Sequence, residues 1–310
     1  MDTIGAYAFV TSDWKENDFP FDLWIKHAIK IFDQIAIVTY GEVVFPDIRY
    51  EGKLLTKRIE PVDVNKFSFY TVGKKIAQDM LTTDWRVLLD IDEFLYDRID
   101  TGGLDKRYAY PLRYHHLYGN SHTEIRNNGV QFPVYQFRIH VDRREVVGDG
   151  ASVSPPYCRY QFPVHQMVVS GEWFNRQFLL KNSTADNGHG SDKSGTQHVD
   201  NNKDSLIHKM FNKLKNIDKP VKFFEVYHTG SARNPVALKN KWRVQTEREI
   251  NEGNTANMGR LKFLEDNKFD YAKYRDIWKN AYLKNIDERE IPLIIRNNAD
   301  RFNWINFSDS

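Results

Sequence analysis

The feature that most constrains this chain is the way its first hundred residues switch between two hydrophobic periods. Short apolar runs, Ile4 to Val10, Ile35 to Thr39 and Trp85 to Leu89, read as strands of a sheet, with Leu54 to Ile59 as a candidate further strand. Between the first two, Phe21, Trp24, Ile25, Ala28 and Phe32 recur at helical spacing, so about Asp18 to Asp33 should lay one apolar stripe on a sheet. Asn65 precedes a second helix whose Phe69, Val72, Ile76 and Met80 face inward while Lys74 and Lys75 face out or sideways. Strand and helix taking turns in this way predict an α/β fold with a largely parallel sheet flanked by helices.

Composition narrows the functional classes. A 310-residue chain with 41% hydrophobic and 14% aromatic residues has enough apolar surface for a sizeable core, which argues against disorder. Lysine plus arginine (44) nearly balances aspartate plus glutamate (42), so no broad positive field points to nucleic acid or an anionic membrane as the main partner. Any anion site has to be local. The single cysteine, Cys158, permits no internal disulfide and no zinc-finger spacing, which fits a reducing compartment. Met1-Asp2-Thr3-Ile4 lacks the basic start of a signal peptide, and no apolar run approaches the ~20 residues of a membrane helix. These features predict a cytoplasmic chain without a transmembrane segment.

Past residue 100 the periodicity weakens. Short β-like pieces, Val130 to Ile139, Gln161 to Val169 and Phe178 to Lys181, are separated by turn clusters such as Gly148-Asp149-Gly150 and Pro155-Pro156. The polar, Gly-rich stretch from Asn182 to Asp204 reads as a surface loop, with a substrate lid as the alternative. From Asn234, an N-cap followed by Pro235, the pattern becomes helical, with further helices predicted near Thr255 to Asn267 and Asp270 to Asn285.

The most informative stretch is Trp85-Arg86-Val87-Leu88-Leu89-Asp90-Ile91-Asp92-Glu93-Phe94-Leu95, where an apolar strand delivers three carboxylates at its carboxyl end. That edge is where open α/β sheets bind ligands. Alternation along an extended chain would put Asp90 and Asp92 on one side, and two close carboxylates repel unless a cation sits between them. An oxygen-preferring divalent ion, Mg²⁺ or Mn²⁺, suits that pair and commonly accompanies a diphosphate. For an isolated Asp-x-Asp, the ordinary alternative is a solvated turn.

The order of a helix with a Gly73-Lys74 pair, then Trp85 and the apolar run into Asp90-Ile91-Asp92-Glu93-Phe94, resembles the metal-binding core of glycosyltransferases of the GT-A fold, family 2-like members in particular. A second match is Val226-Tyr227-His228-Thr229-Gly230-Ser231-Ala232-Arg233-Asn234-Pro235, followed by Lys239 and Lys241. It is similar to the segment in those enzymes where a His and a basic residue reach the metal and the diphosphate. The resemblance implies a GT-A domain over 1–233, with a nucleotide-binding half (1–100) and an acceptor half (101–233), and a C-terminal helical extension over 234–310. It implies a metal held by Asp92 and His228 with Asp90 nearby, acting as Lewis acid on the diphosphate leaving group. By the same resemblance Arg233 and Lys74 reach the phosphates, and Thr11 and Asp13 sit where base and ribose contacts fall. The implied partners are a nucleotide-diphosphate sugar donor and a glycan or glycoconjugate acceptor.

An inverting transferase also needs a carboxylate general base. Glu172, beside Trp173 and Phe174, is the first candidate and Asp149 the second. Of His115 and His116, alternation lets at most one face the cleft, and core packing is the simpler role. His189 and His198 flank a loop whose glycine spacing does not match a P-loop. The lysines from Lys203 to Lys222 read as a solvated face, with peripheral docking to an anionic acceptor or membrane surface as the alternative. Two other classes stay open. A haloacid dehalogenase-like phosphotransferase would use Asp90 and Asp92 but wants Thr or Val where Phe94 stands. A non-catalytic carbohydrate-binding protein would use the aromatics alone.

Overall fold

The computed structural model describes residues 2–60, 68–104, 108–127, 135–141, 169–170, 224–251, 258–266 and 281–305. Its first unit is a four-stranded parallel sheet built from β1 (Ile4–Thr11), β2 (Gln34–Tyr40), β3 (Leu54–Ile59) and β4 (Trp85–Leu88), in the order β3-β2-β1-β4. Period-two alternation sorts the side chains of β1 onto two faces. Ala6, Ala8 and Val10 pack against Trp24, Ile25 and Ala28 of helix α1 (Phe21–Ile31). Tyr7 and Phe9 pack against Ala77 of helix α2 (Ser68–Met80) and against Leu81. Both faces of β1, β2 and β4 are therefore dry, which is why these strands read as continuous apolar runs, while the edge strand β3 exposes Thr56, Lys57 and Arg58.

Beyond β4 the sheet becomes mixed. The short β5 (Glu93–Leu95) is followed by a long β6 (Tyr108–Tyr118), then β7 (Thr123–Asn127) and β8 (Tyr135–Val141). A two-residue β9 (Val169–Ser170) touches β6, and β10 (Phe224–Ser231) runs parallel to β6 while pairing antiparallel with β5. Strand β8 lies antiparallel between β4 and β6 and so joins the two halves. The α/β class and the parallel first half agree with the sequence, but the sheet as a whole is mixed rather than mostly parallel.

The C-terminal region differs from the helical expectation. Helices α3 (Pro235–Asn251) and α4 (Met258–Asp266) form as predicted, and Asn234 caps α3 by accepting the Val236 amide at 2.9 Å. Residues 281–285 form a strand, β11 (Ala281–Asn285), paired antiparallel with β7, where a helix ending at Asn285 was expected. A β-branched or apolar residue at a sheet edge takes its conformation from its cross-strand neighbours, which local periodicity does not reveal. Ile295 and Phe302 return to the main core, so this segment is part of the fold's packing. Among the described residues no helix is long and apolar enough to cross a membrane.

Gly73 explains how α2 reaches the sheet. A Cβ there would lie 2.7 Å from Phe9 Cγ, so only glycine lets the helix approach β1 this closely. Gly73→Ala gains about 1 kcal/mol of helix propensity but forces an overpacked ring, a cost of about 1–3 kcal/mol. Urea unfolding should show the variant less stable than the unaltered chain, and unchanged stability would contradict the close approach.

Candidate functional site

The site forms where β4 stops. After Leu88 the chain leaves the strand and reverses at Ile91–Asp92, the Glu93 amide donating to the Asp90 carbonyl at 2.9 Å. The Glu93 carboxylate closes the same turn by accepting the Asp90 amide at 2.8 Å. A turn thus places the two aspartates, not the alternation of an extended strand. Strand β5 then pairs with β10, which sets His228 opposite Glu93 and lets the Thr229 amide and hydroxyl donate to the Asp92 carbonyl at 2.7 and 3.0 Å.

Asp92 is the centre of charge. It is only 3% exposed, and its Oδ2 is met by the Arg233 guanidinium, by Lys241 Nζ at 3.5 Å and by His228 Nε2 at 3.5 Å. Burial alone would raise the Asp92 pKa, but His228, Lys241 and Arg233 outweigh it and hold the carboxyl well below the usual range. Arg233, 1% exposed, also donates to the Asn17 carbonyl at 3.0 Å, and its guanidinium carbon lies 3.7 Å from the centre of the Phe19 ring. It is a buried counter-charge of Asp92 in this structure. Burial and the neighbouring Arg233 pull the Lys241 ammonium down to about 8.

Lys74 is likewise buried instead of facing out, and its Nζ pairs with Asp90 Oδ1 at 2.7 Å. The two aspartates of the motif therefore have different partners: Asp90 on Lys74 of α2, Asp92 on the corner after β10. Thr11 and Asp13 lie at the carboxyl end of β1, where the Thr11 hydroxyl donates to the Asp13 carboxylate. Asn17 donates to the Asp13 carboxylate at 2.8 Å and accepts from Asn240 at 2.9 Å. Through Asn17 the loop after β1 is tied to Arg233 and α3.

Gly230 keeps space between His228 and Asp92. A Cβ at this position would fall 2.5 Å from His228 Nε2 and 3.1 Å from Asp92 Oδ2. Asp92 Oδ2 and His228 Nε2, 3.5 Å apart, are the two atoms beside Gly230 that could hold a small divalent ion, and Arg233 and Lys241 meet that same oxygen. Among the described residues no cluster of three His, Cys, Asp or Glu is preassembled. Behind His228, its Nδ1 is 3.1 Å from Nδ1 of His116, so one ring donates and the other accepts. A donating His228 Nδ1 leaves its Nε2 lone pair for the cradle, the arrangement by which outer partners orient metal-binding histidines.

Strand alternation does split the histidine pair. His116 faces His228, while His115 stacks on Tyr227 at 4.5 Å and bonds Glu225 at 2.7 Å. His116, Lys241, Gly230 and Asn17 are the members that the sequence reading did not assign. Alternation at His115-His116 carried a signal for the first, and the motif flanking Lys241 carried one for the second. Glu172, Asp149, His189 and His198 lie outside the described residues, as does Lys203 to Lys222. Compared with known proteins, the chain matches no protein-family model and no curated sequence.

The burial of the Asp92–Arg233 pair makes two outcomes testable. Removing one member of a buried ion pair costs about 3–5 kcal/mol, and with Lys241 and His228 still present Arg233→Met should fall at the lower end. Because its folded-state pKa is lowered, Asp92 contributes stability that is whole above about pH 4 and is lost as pH falls through the lowered value. Asp92→Asn should remove that part of the acid limb in a pH series of denaturant melts. A limb of unchanged slope would contradict the assignment.

Proposed function

We propose that this chain is a metal-dependent glycosyltransferase that moves a sugar from a nucleotide-diphosphate donor to a carbohydrate acceptor on a GT-A-like core. The observation that carries the reading is the meeting of Asp92 and His228 across the Gly230 cradle at the carboxyl end of the parallel sheet. Ligands bind at that edge of open α/β sheets. The strand order β3-β2-β1-β4, with helices on both faces, supports a nucleotide-binding half.

The bound Mg²⁺ or Mn²⁺ would supply Lewis-acid stabilisation of the diphosphate leaving group. The chain's own residues do the rest. Asp92 stays ionised at neutral pH because the charges around it hold its proton affinity down. His228, backed by His116, presents Nε2 towards Asp92. Lys74 holds Asp90 beside the cradle, and the Thr11–Asp13 turn lies on the edge a nucleoside would follow. Preorganised groups of this kind stabilise developing charge without reorganising during the reaction. For transfer with inversion, Glu172 and Asp149 remain the proposed general bases.

A thermal-shift panel of UDP, GDP, CDP and dTDP, each with Mn²⁺ or with EDTA, tests this reading. A ligand that binds only the native state raises Tm, by about 2.7 kcal/mol of stability at a hundredfold excess over Kd. One nucleotide should stabilise the chain in a metal-dependent way, and His228→Gln should abolish the metal dependence. No shift with any of the four under either condition would refute the transferase reading.

A further inference from the structure

We propose that His115 is a pH-operated clasp between β7 and β10: as an imidazolium it holds both Glu124 and Glu225, and as a neutral ring it holds only one of them. The inference lies outside the candidate site and does not depend on the transferase reading. His115 is buried on β6, the strand that pairs with both β7 and β10. Its Nδ1 is 3.5 Å from Glu124 Oε2 and its Nε2 is 2.7 Å from Glu225 Oε2. Each ring nitrogen therefore faces a carboxylate oxygen, which can only accept. A neutral imidazole has one N–H and one lone pair, so the imidazolium alone donates to both.

The groups around the ring come from four strands and one loop. On β7, Arg126 pairs with Glu124 at 2.9 Å, and Tyr282 of β11 is a neighbour of Arg126. On β6 itself, Arg113 pairs with Glu225 at 3.2 Å. On β10, Tyr227 stacks on the imidazole with ring centres 4.5 Å apart, and Tyr96 and Glu290 are neighbours of Tyr227. Two arginines already match the two glutamates in charge, so what His115 adds is the direction of its N–H groups. Burial opposes a positive ring, but the bonds and charges of Glu124 and Glu225 outweigh it and raise the His115 pKa. Burial, with Glu225, Glu290 and Glu124, also raises the Tyr227 pKa, so the phenol stays neutral while His115 titrates.

The distances decide which carboxylate a neutral ring keeps. The shorter contact retains the N–H on Nε2 for Glu225, and the Nδ1 lone pair is left facing Glu124 Oε2. Glu124 lies where β7 pairs with β6, opposite Leu117, and it stands opposite Lys284 in the ladder to β11. The loss therefore falls on the β7–β11 edge, while β10 keeps its contact. Because the folded-state pKa is raised above the ordinary 6.5, the stabilisation is whole below about 6.5 and is lost as pH rises through the raised value.

Nitrogen–proton NMR spectra of the imidazole rings of the full chain, recorded through a pH series, test the clasp. His115 should titrate above 6.5, with both ring nitrogens protonated on the acid side and the proton kept on Nε2 on the alkaline side. Amide hydrogen exchange, corrected for its intrinsic pH dependence, should show protection in β7 and β11 falling about tenfold across that titration, the size of one charge-assisted hydrogen bond. His115→Gln removes the titrating group and should abolish the fall. Glu124→Gln keeps the ring and the shape of its partner and should lower the His115 pKa; circular dichroism checks that both variants fold. A His115 pKa at or below 6.5 in the unaltered chain overturns the inference, as does protection that stays constant across the titration. An equal fall in His115→Gln overturns it too.

Discussion

A carboxylate that is 3% exposed must be neutralised or protonated, and Asp92 is met by side chains delivered from three directions, two of them cationic. Arg233 comes from the corner after β10, Lys241 from the helix that follows it, and His228 from β10 itself. Each delivery constrains backbone far away in sequence. Arg233 reaches Asp92 across 141 positions and Asn17 across 216, so the ends of β1, β4 and β10 have to converge. Buried ion pairs contribute little net stability because desolvation offsets attraction. Their consequence here is specificity of arrangement: the chain has one way to satisfy Asp92, and that way assembles the cradle.

The two faces of β6 and β10 show how the same pairing divides labour. The parallel register sets His115 beside Tyr227 and His116 beside His228. On one face His115 sits between Glu124 at 3.5 Å and Glu225 at 2.7 Å, with Arg126 and Arg113 completing the pairs. Burial opposes its protonation, but the bonds and charges of the two glutamates prevail and raise its pKa. That is a structural role, a ring that bridges two carboxylates. On the other face His116 supports His228 at the cradle. A one-residue change of register would exchange the two sets.

How much of this was legible depended on whether the information is local. The runs from Ile4, Ile35 and Trp85 are buried on both faces, so hydrophobic continuity located β1, β2 and β4, and Leu54–Ile59 coincides with the predicted strand although it is a partly exposed edge. Residues 281–285 read as helix because their strand conformation comes from β7, more than 150 positions earlier. At the site, residue type and strand-end position singled out Asp90, Asp92 and His228. The buried states of Lys74 and Arg233 were not legible, since a lone basic residue carries no mark of the carboxylate it will meet. The turn at Ile91–Asp92 was hidden for a related reason: it is held by the Glu93 side chain and by β10.

The proposed function places a divalent cation on Asp92 and His228 beside Gly230. Anomalous diffraction from crystals of the full chain soaked in Mn²⁺ with a nucleoside diphosphate measures this most directly. One strong peak about 2.1 Å from an Asp92 carboxylate oxygen and from His228 Nε2 is the expected result. No peak, or a peak away from both residues, would contradict it.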